Sequence, residues 1–587
     1  MKKMRKIVVL LMVAAMLLPV IAGCSGGDPD DRGAHIHMWL GADPSNINFD
    51  PALRLFDRET GKWISLAFQG LTVVDSQGRL LPGMARSWEV MERDEDGNAL
   101  SLHIELIESA WSDGIQLAAE HFVDAWERIL QPDFVSPAAA LLFDIKNARA
   151  VKEGYLTVAD LGIAAPDITI LEITFERGTD YERFLRNLAS IALVPIRSVT
   201  VENHPEDWAW GERNQAMWSN GPFRLTNVEF GNRAMFERST NYRVDPGLRN
   251  RPAEDRHVRP HRLYTHFRTT LNDMATAFNT ESVGAYNVFF LGDVPRERFN
   301  EFSGNAELVP MLSSYAVHFN ANVAPFDRPE VRRALSVALD RNHIANTLAA
   351  AAAAPATGIV PAGTIGINPT GNDFRTEAGQ VISPEANMAE ARSLLQSAGV
   401  TSGAFELKFR DTIAHEVAIA EYVAGVWREL GFNVTLRPVR GRAFADDALA
   451  IDYDVMLHDF QAPGVCAFSV LAPFAMPFSG NAKTFNPVGG YWESAPFVTG
   501  FQSDRYDALM EEIALIDDNA TRNERLRDAE RMLAEYMPIA PLVFNTSVNI
   551  TDARLTGVTY SRFGFPIFTR ANLRNHLNYT TTVPPRN

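Results

Sequence analysis

The sequence predicts a mixed α/β protein built from more than one domain. The chain has 587 residues, whereas a single hydrophobic core stops growing at roughly 250 to 300 residues. Hydrophobic residues make up 46% of the chain and charged residues 22%, which is the composition of a globular protein. Short apolar strands alternate with amphipathic helices along the chain, as they do in α/β folds.

The beginning of the chain is predicted to be an export signal. The basic stretch "MKKMRK" precedes an apolar run over residues 7–22, which is shorter than the roughly 20 residues of a membrane-spanning helix. The run ends in "IAGC", and this resembles the lipobox of bacterial lipoproteins. We therefore expect a lipoprotein signal peptide over 1–23, lipid on Cys24, and a flexible lipidated tether over 24–33.

The mature chain is acidic. Without the four basic residues of the signal it has 51 Lys and Arg against 72 Asp and Glu, a net charge of −21. This charge argues against a nucleic acid partner and against electrostatic binding to anionic lipid. Cys466 is the second of two cysteines, so an intrachain disulfide is excluded once Cys24 carries lipid.

Periodicity predicts the individual elements. The strand candidates, in chain order, are AHIHMWLG, LSLHIELI, ITILEITFE, AMFERS, YAVHFNAN, FELKFR, NVTLRPV, YDVMLHDF and APLVFN. Helices are predicted over residues 118–130, 180–189, 329–354, 388–398, 416–430, 504–516 and 520–537. The alanine run 349–354 has two interpretations, a frayed helix end stopped by Pro355 or a low-complexity loop, and its helix propensity favours the first.

Motifs for catalysis or metal binding are lacking in the sequence. It contains no G-x-S-x-G, H-E-x-x-H, P-loop or strand-linked G-x-G-x-x-G pattern. "HEVAIAE" at His415 has Ile419 where a zinc protease needs its second histidine. The other histidines lack the ligand spacing of a closed metal site. We therefore predict no catalytic residue, no metal site and no cofactor.

The segment 110–130, "AWSDGIQLAAEHFVDAWERIL", concentrates acidic residues. Asp113 and Gly114 are typical of a tight turn. In the helix that follows, the apolar residues form one stripe and the charged residues occupy the other faces. This pattern indicates a turn and an amphipathic helix rather than an acid/base site.

Several blocks of the chain occur in an order typical of one family. They are LLPGMARSWEV (80–90), segment 110–132, SNGPFRLTNVEFGNRAMFERSTNY (219–242), YAVHFNANVAPFDRPEVRRALSVALDRNHI (315–344), EARSLLQSAGV (390–400), VWRELGFNVTLRPV (426–439) and segment 506–545. The chain thereby resembles the family 5 extracytoplasmic solute-binding proteins, the oligopeptide-, dipeptide- and nickel-binding components of ABC importers.

The resemblance implies a fold and a division into lobes. The fold is a periplasmic-binding-protein-like class II clamp, in which two main α/β lobes are joined by two hinge strands and a third lobe is smaller. Lobe I would contain the discontinuous segments 34–75, 195–314 and 544–587. The smaller lobe II would contain residues 76–194, and lobe III residues 315–543.

The resemblance also suggests where the solute binds. Peptide-binding relatives carry an arginine and an aspartate after the "YDV" strand, and the aspartate pairs with the peptide amino terminus. Leu457 and Pro463 stand at those positions here. Asp459 is therefore either a substitute for the missing carboxylate or a loop or capping residue. The candidates for lining the cleft are Ser45, Asn46, Tyr315 and the predicted loop of His458, Asp459, Phe460 and Gln461.

The function implied is solute capture without catalysis. A monomer tethered to the extracytoplasmic face of the bacterial cell membrane would bind an oligopeptide-like ligand by hinge closure and deliver it to an ABC permease and ATPase complex. The same clamp for an oligosaccharide or a metal chelate, and a receptor for a peptide pheromone, are alternatives. A surface hydrolase is a more distant one.

Overall fold

The computed structural model describes most of the chain. The described residues are 33–40, 50–52, 58–203, 218–229, 232–243, 257–266, 278, 287–294, 296–302, 306–350, 352–366, 373–480, 483–486, 491–494, 499–516 and 518–578. The signal peptide, Cys24 and the cleft candidates Ser45 and Asn46 lie outside these residues.

The strands of the described residues are numbered in chain order. They are β1 (His35–Trp39), β2 (Thr72–Val74), β3 (Leu80–Pro82), β4 (Ala85–Arg93), β5 (Ala99–Leu106), β6 (Ile163–Asp167), β7 (Ile170–Thr174), β8 (Phe223–Glu229), β9 (Arg233–Arg238), β10 (Arg262–His266), β11 (Phe290–Leu291), β12 (Ala306–Phe319), β13 (Ala354–Pro355), β14 (Gly403–Phe409), β15 (Phe432–Pro438), β16 (Val455–Gln461), β17 (Lys483–Asn486), β18 (Tyr491–Ser494), β19 (Ile539–Thr551), β20 (Leu555–Thr556), β21 (Thr559–Tyr560), β22 (Pro566–Ile567) and β23 (Asn572–Leu573).

The α-helices of the described residues are numbered in the same way. They are α1 (Arg58–Ala67), α2 (Glu120–Leu130), α3 (Ala148–Lys152), α4 (Tyr181–Asn187), α5 (Ser198–Asn203), α6 (Phe299–Phe302), α7 (Pro329–Val337), α8 (Arg341–His343), α9 (Phe374–Ala378), α10 (Met388–Ser397), α11 (Ala414–Glu429), α12 (Arg442–Ala450), α13 (Ala467–Leu471), α14 (Asp504–Ala514) and α15 (Asn519–Tyr536).

One mixed sheet runs through most of the molecule. Its strand order is β15-β14-β16-β12-β19-β11-β1-β10-β9-β8, and β13 also pairs with β19. We refer to β15, β14, β16, β12 and the first part of β19 as the C-terminal half-sheet. The strands β11, β1, β10, β9 and β8 form the N-terminal half-sheet. The mixed α/β class predicted from the sequence is thus confirmed.

The long strands β12 and β19 join the two half-sheets. They pair antiparallel from Ala306 with Ile550 to His318 with Ile539, with a register shift between Pro310 and Ser314. Within that shift, three residues of β12 lie opposite the single residue Asn545 of β19. A β-bulge of this kind bends a strand pair and raises its local twist, so the ladder has a built-in bend between the half-sheets.

A separate four-stranded antiparallel sheet, in the order β4-β5-β7-β6, covers part of the N-terminal half of the chain. Its core is not separate, because Ile36 of β1 and Leu102 of β5 belong to one continuous cluster of buried hydrophobic residues. The helices and strands of the C-terminal half-sheet enclose a second large cluster that contains Val317, Leu457 and Trp427. The lobe boundaries taken from the resemblance remain a prediction.

The single helix predicted over 329–354 is wrong. Helix α7 ends at Val337, α8 covers Arg341–His343, and a π-helical turn follows over Ile344–Leu348. Asp340 starts the second segment by accepting from the backbone N–H of His343 at 2.9 Å, as an N-cap does. Buried Arg341 donates to the carbonyl oxygen of Pro541 at 2.7 Å. These contacts fix a break in the helix that alanine propensity does not reveal.

The alanine run does not extend a helix either. Ala354 and Pro355 pair with β19, opposite Phe544 and Val543. The interpretation of this run as a frayed helix end is therefore wrong. Pairing of Ala354 and Pro355 with β19 overrides the local helix propensity of alanine.

Candidate functional site

The candidate site lies where the two half-sheets meet. β16 runs antiparallel to β12, so its last residue, Gln461, lies opposite Ser313 at the bulge. β11 runs antiparallel to β19 toward the same bulge, and β1 is parallel to β11. The carboxyl ends of β16, β1 and β11 therefore approach the bend from both sides. Open α/β sheets bind their ligands outside the carboxyl ends of strands.

Asp459 lies at the center of a buried polar cluster on one side. It is 5% exposed, and its Oδ1 accepts from Asn545 Nδ2 at 2.8 Å. Its Oδ2 accepts from Arg410 Nη2 at 3.3 Å. Asn545 Nδ2 also donates to Ser313 Oγ at 3.0 Å. Asp459 thus connects β16 to the bulge of the β12–β19 ladder.

Arg410 brings a second carboxylate into this cluster. Its Nε donates to Glu416 Oε2 at 2.9 Å, and its Nη2 donates to Glu416 Oε1. Glu416, in the first turn of α11, is 1% exposed. Arg410 also lies over the Phe444 ring, 5.2 Å from its centroid. The guanidinium therefore has a bidentate carboxylate partner and an aromatic face.

Tyr315 completes the group of side chains that we call the Asp459 cluster, namely Asp459, Arg410, Glu416, Tyr315 and Asn545. It is the register partner of Asp459 across the β12–β16 pair, so both side chains lie on the same face of the sheet. Burial, and then the Glu416 carboxylate, raise the pKa of the Tyr315 hydroxyl well above its ordinary value. The hydroxyl therefore stays protonated and available as a donor.

His458 and Phe460 lie on the opposite face of β16, as alternation along a strand requires. His458 stacks on His318 with ring centroids 3.6 Å apart. Burial, and then the neighbouring His458, lower the pKa of His318 well below its ordinary value. Phe460 packs 5.4 Å from the Phe474 ring. The predicted group of four consecutive residues is thus divided between two environments.

Gln461 lies at the bulge itself. Its Nε2 donates to the carbonyl oxygen of Leu312 at 2.9 Å, which holds one of the three β12 residues that lie opposite Asn545. Its Oε1 is buried and has no hydrogen-bond partner among the described residues. This oxygen is a neutral acceptor located beside the bend.

The N-terminal half-sheet carries polar side chains at the same bend. Lys62 of α1 forms an ion pair with Asp293, which follows β11. Asp293 Oδ1 accepts from Ser547 Oγ at 3.0 Å, and Ser547 Oγ also contacts Asn549 Oδ1 at 3.1 Å. Asn549 Nδ2 is buried without a partner among the described residues.

Asn545, Ser547 and Asn549 alternate along β19 and so share one face of the strand. They form a polar stripe that runs from the Asp459 cluster to the Lys62–Asp293 pair. The hinge strand thereby connects the polar groups of both half-sheets.

The structure corrects the interpretation of residues 458–461 as a loop. All four belong to β16 and are buried, because the ladder between β16 and β12 continues past Leu457 to Gln461. Leu457 packs in the hydrophobic core. The carbonyl oxygen of Pro463 accepts from Ser190 Oγ at 2.7 Å. Leu457 and Pro463, the two positions where the resemblance leads us to expect charges in peptide-binding relatives, therefore have structural contacts here.

Several polar residues at the bend were absent from the predicted set. They are Arg410, Glu416, Asn545, Lys62 and Asp293. A partial signal existed for Arg410, a charge directly after the apolar strand FELKF, and for Asn545, which begins the polar alternation of NTSVN in an apolar strand. The ligand roles of Tyr315 and of residues 458–461 remain predictions.

Neither a metal center nor a membrane span occurs among the residues with described positions. In that part of the chain, no three histidine, cysteine or carboxylate side chains are grouped so that they could hold a metal ion. Its helices include none that is long and apolar enough to cross a bilayer.

Comparison with known proteins supplies the family. The model of the family "Bacterial extracellular solute-binding proteins, family 5 Middle" matches residues 79–480. A probable deoxycholate-binding periplasmic protein of Escherichia coli, YgiS, is 28% identical over 506 residues, with 84% of each chain covered. The oligopeptide-binding protein OppA of Bacillus subtilis is 24% identical, covering 97% of this chain and 99% of the relative.

Solved structures show the same fold. Haemophilus influenzae OppA in complex with RPPGFSPFR superposes with a TM-score of 0.73 at 22% identity, covering 93% of this chain and 99% of the other. The pheromone receptor PrgZ superposes with a TM-score of 0.75 at 21% identity, covering 92% of this chain and 100% of the receptor chain. These likenesses confirm the class II clamp.

Proposed function

The chain belongs to the bacterial extracellular solute-binding proteins of family 5, and on this premise we propose that it captures oligopeptide-like solutes by closure about β12 and β19. Members of this family bind solutes and are not enzymes. The observation that carries the proposal is the bend itself, where a bulged strand pair joins two half-sheets whose carboxyl ends face each other. An extended peptide fits such a site because its backbone offers both donors and acceptors.

The finer parts of the proposal concern delivery and location. Lipid on Cys24 would hold the protein at the extracytoplasmic face of the bacterial cell membrane, and the closed form would pass its solute to an ABC permease and ATPase complex. Relatives named for oligopeptide and dipeptide binding support a peptide as the solute. Closure would move three lobes relative to one another. They are lobe I (34–75, 195–314 and 544–587), lobe II (76–194) and lobe III (315–543).

Native mass spectrometry tests the capture of peptides. The chain without residues 1–23 is incubated with a mixture of random-sequence peptides and passed through a desalting column. We expect one uncleaved peptide for each protein molecule. Cleaved peptides would contradict a binding protein, and the absence of retained peptide would contradict a peptide ligand.

A non-peptide solute is the second candidate. It is favoured by Leu457 and Pro463, which stand where peptide-binding relatives carry charges, and by a relative named for probable deoxycholate binding. The same mass spectrometry with deoxycholate and with mixed oligosaccharides distinguishes this candidate, because retention of either solute in place of peptide would support it.

Anchoring has its own test. The full chain and its Cys24→Ser variant are expressed in a bacterial host and partitioned with a detergent that separates into two phases. We expect the unaltered chain in the detergent phase and the variant in the aqueous phase. Equal partitioning of the two would contradict a lipid on Cys24.

A further inference from the structure

The Asp459 carboxylate is already supplied with donors from within the protein. Asn545 donates to its Oδ1 at 2.8 Å and Arg410 to its Oδ2 at 3.3 Å. Both oxygens of Glu416 accept from the same guanidinium. Each carboxylate oxygen of the cluster therefore has a protein donor before any solute arrives.

The charge next to Asp459 disfavours a second cation. A ligand ammonium in contact with Asp459 would lie beside the Arg410 guanidinium, and like charges repel strongly where water is excluded. Arg410 cannot lose its proton to relieve this repulsion. Its side chain is 19% exposed, so solvent screens the repulsion only in part.

The other polar groups at the bend suit uncharged partners. Gln461 Oε1 is a buried acceptor and Asn549 Nδ2 a buried donor, and both lack partners among the described residues. On the N-terminal side, Asp293 has Lys62 and Ser547 as partners. A buried neutral donor and acceptor gain most from a solute that supplies the matching amide groups.

From this arrangement we propose that the cleft does not recognise a free ligand ammonium at Asp459, so that amino-blocked peptides or internal segments of longer ones bind as well as free peptides, and that Arg410 determines this lack of discrimination. The inference rests on the proposed function and specifies its ligand class. Arg410 acts through Asp459 and is thus a positioning residue.

Paired peptide libraries test the inference. The probe is an equimolar mixture of a random pentapeptide library with free amino termini and the same library after acetylation, and the retained peptides are counted by mass spectrometry. For the unaltered protein we expect acetylated and free peptides to be retained within about twofold of each other. Removal of Arg410 exposes the carboxylate of Asp459 to the ligand, so R410M should shift the ratio at least tenfold toward free amino termini.

Two further variants keep the test decisive. Because Arg410→Met also leaves Glu416 buried without its partner, the double variant R410M/E416Q removes that charge and keeps Asp459. Arg440→Met is the matched control, because Arg440 also forms an ion pair with a carboxylate, but an exposed one. Its Nε donates to Asp411 Oδ1 at 2.7 Å, and the two residues follow β15 and β14. We expect the double variant to show the shift and the control to retain the ratio of the unaltered protein.

The outcomes separate the inference from the function on which it rests. Retention of free peptides alone by the unaltered protein would overturn the inference and leave peptide capture intact. An unchanged ratio in both Arg410 variants would overturn the role of Arg410. Retention of neither library would overturn peptide capture itself, and the inference with it.

Discussion

Two buried arginine–carboxylate groups in the C-terminal half of the chain use the same chemistry in different surroundings. Arg375 Nη2 donates to Glu530 Oε2 at 2.9 Å, and Glu530 is completely buried. Glu530 Oε1 also accepts from the backbone N–H groups of Ile359 and Val360, each at 2.9 Å. The Arg375–Glu530 pair thereby fastens α9 and the segment of Ile359 and Val360 to α15.

The Asp459 cluster differs from this pair in location and composition. It contains two carboxylates for one arginine, and the Arg410 side chain is 19% exposed, compared with 7% for Arg375. It also lies beside the bulge through which the two half-sheets are joined. We therefore expect the enclosed pair to contribute mainly to stability, and the proposed solute to meet the Asp459 cluster.

The largest expected effect is on the enclosed pair. Glu530→Gln leaves Arg375 buried without a counter-charge, and removal of one partner of a buried pair costs about 3 to 5 kcal/mol. We expect a loss of this size in the free energy of unfolding, measured by urea denaturation followed by intrinsic fluorescence.

An exposed pair on the neighbouring helices provides the control. Glu512 accepts from Arg525 Nη2 at 2.7 Å, with more than a third of its side chain exposed. Glu512→Gln should change the unfolding free energy by less than about 1 kcal/mol. A loss of similar size in both variants would show that enclosure does not distinguish the two kinds of pair.

A third polar group, in the N-terminal half-sheet, sharpens the comparison because it consists of imidazoles. His37 Nδ1 and His266 Nε2 are 3.0 Å apart in a buried contact. Burial, and then Arg233, lower the pKa of His266 from 6.5 to about 4, against a smaller opposing effect of Glu229. Burial, and then His266, lower the pKa of His37 well below its ordinary value.

The folded protein therefore binds fewer protons here than the unfolded chain. Stability from this pair is complete above pH 6.5 and is lost as the pH falls toward 4, by about 2 to 3 kcal/mol for His266. Urea midpoints at pH 7.5 and 4.5 measure the loss. His266→Gln should reduce the difference between the two midpoints. An unchanged difference in His266→Gln would exclude this pair as its cause.

The fold was largely predictable because its signals are local or belong to ordered blocks. The stripe of α2 was predicted from spacing, and Phe122, Trp126 and Ile129 are buried as expected. Asp113 bonds the backbone N–H of Ile115 at 3.1 Å, as expected for the turn before α2. The break at Asp340 was missed because it depends on Arg341 reaching a strand 200 residues away in sequence.

The site was less predictable because its polar contacts join residues far apart in sequence. Tyr315 and Asp459 were identified, but Arg410 and Asn545 lie 49 and 86 residues from Asp459. A sequence read in order shows that Asp459 is acidic. It does not show that the guanidinium of Arg410, which follows β14, already donates to it.

The smallest expected effect is that of a substitution at Asp459, which the sequence predicts to be a candidate ligand contact. Asp459→Asn keeps the shape of the side chain and an oxygen that accepts from Asn545, and Arg410 keeps its bidentate partner Glu416. We therefore expect a loss of less than about 1 kcal/mol in unfolding free energy, well below that of Glu530→Gln.

Peptide affinity, measured by calorimetry with a peptide recovered from the library, should change by less than about threefold. A contact between Asp459 and a ligand ammonium would instead weaken free peptides by tenfold or more and leave acetylated peptides unaffected. That result would show that Asp459 binds a charged group of the ligand directly. The Asp459 cluster would then differ from the Arg375–Glu530 pair because it contacts a ligand, and not because Arg410 already occupies its carboxylates.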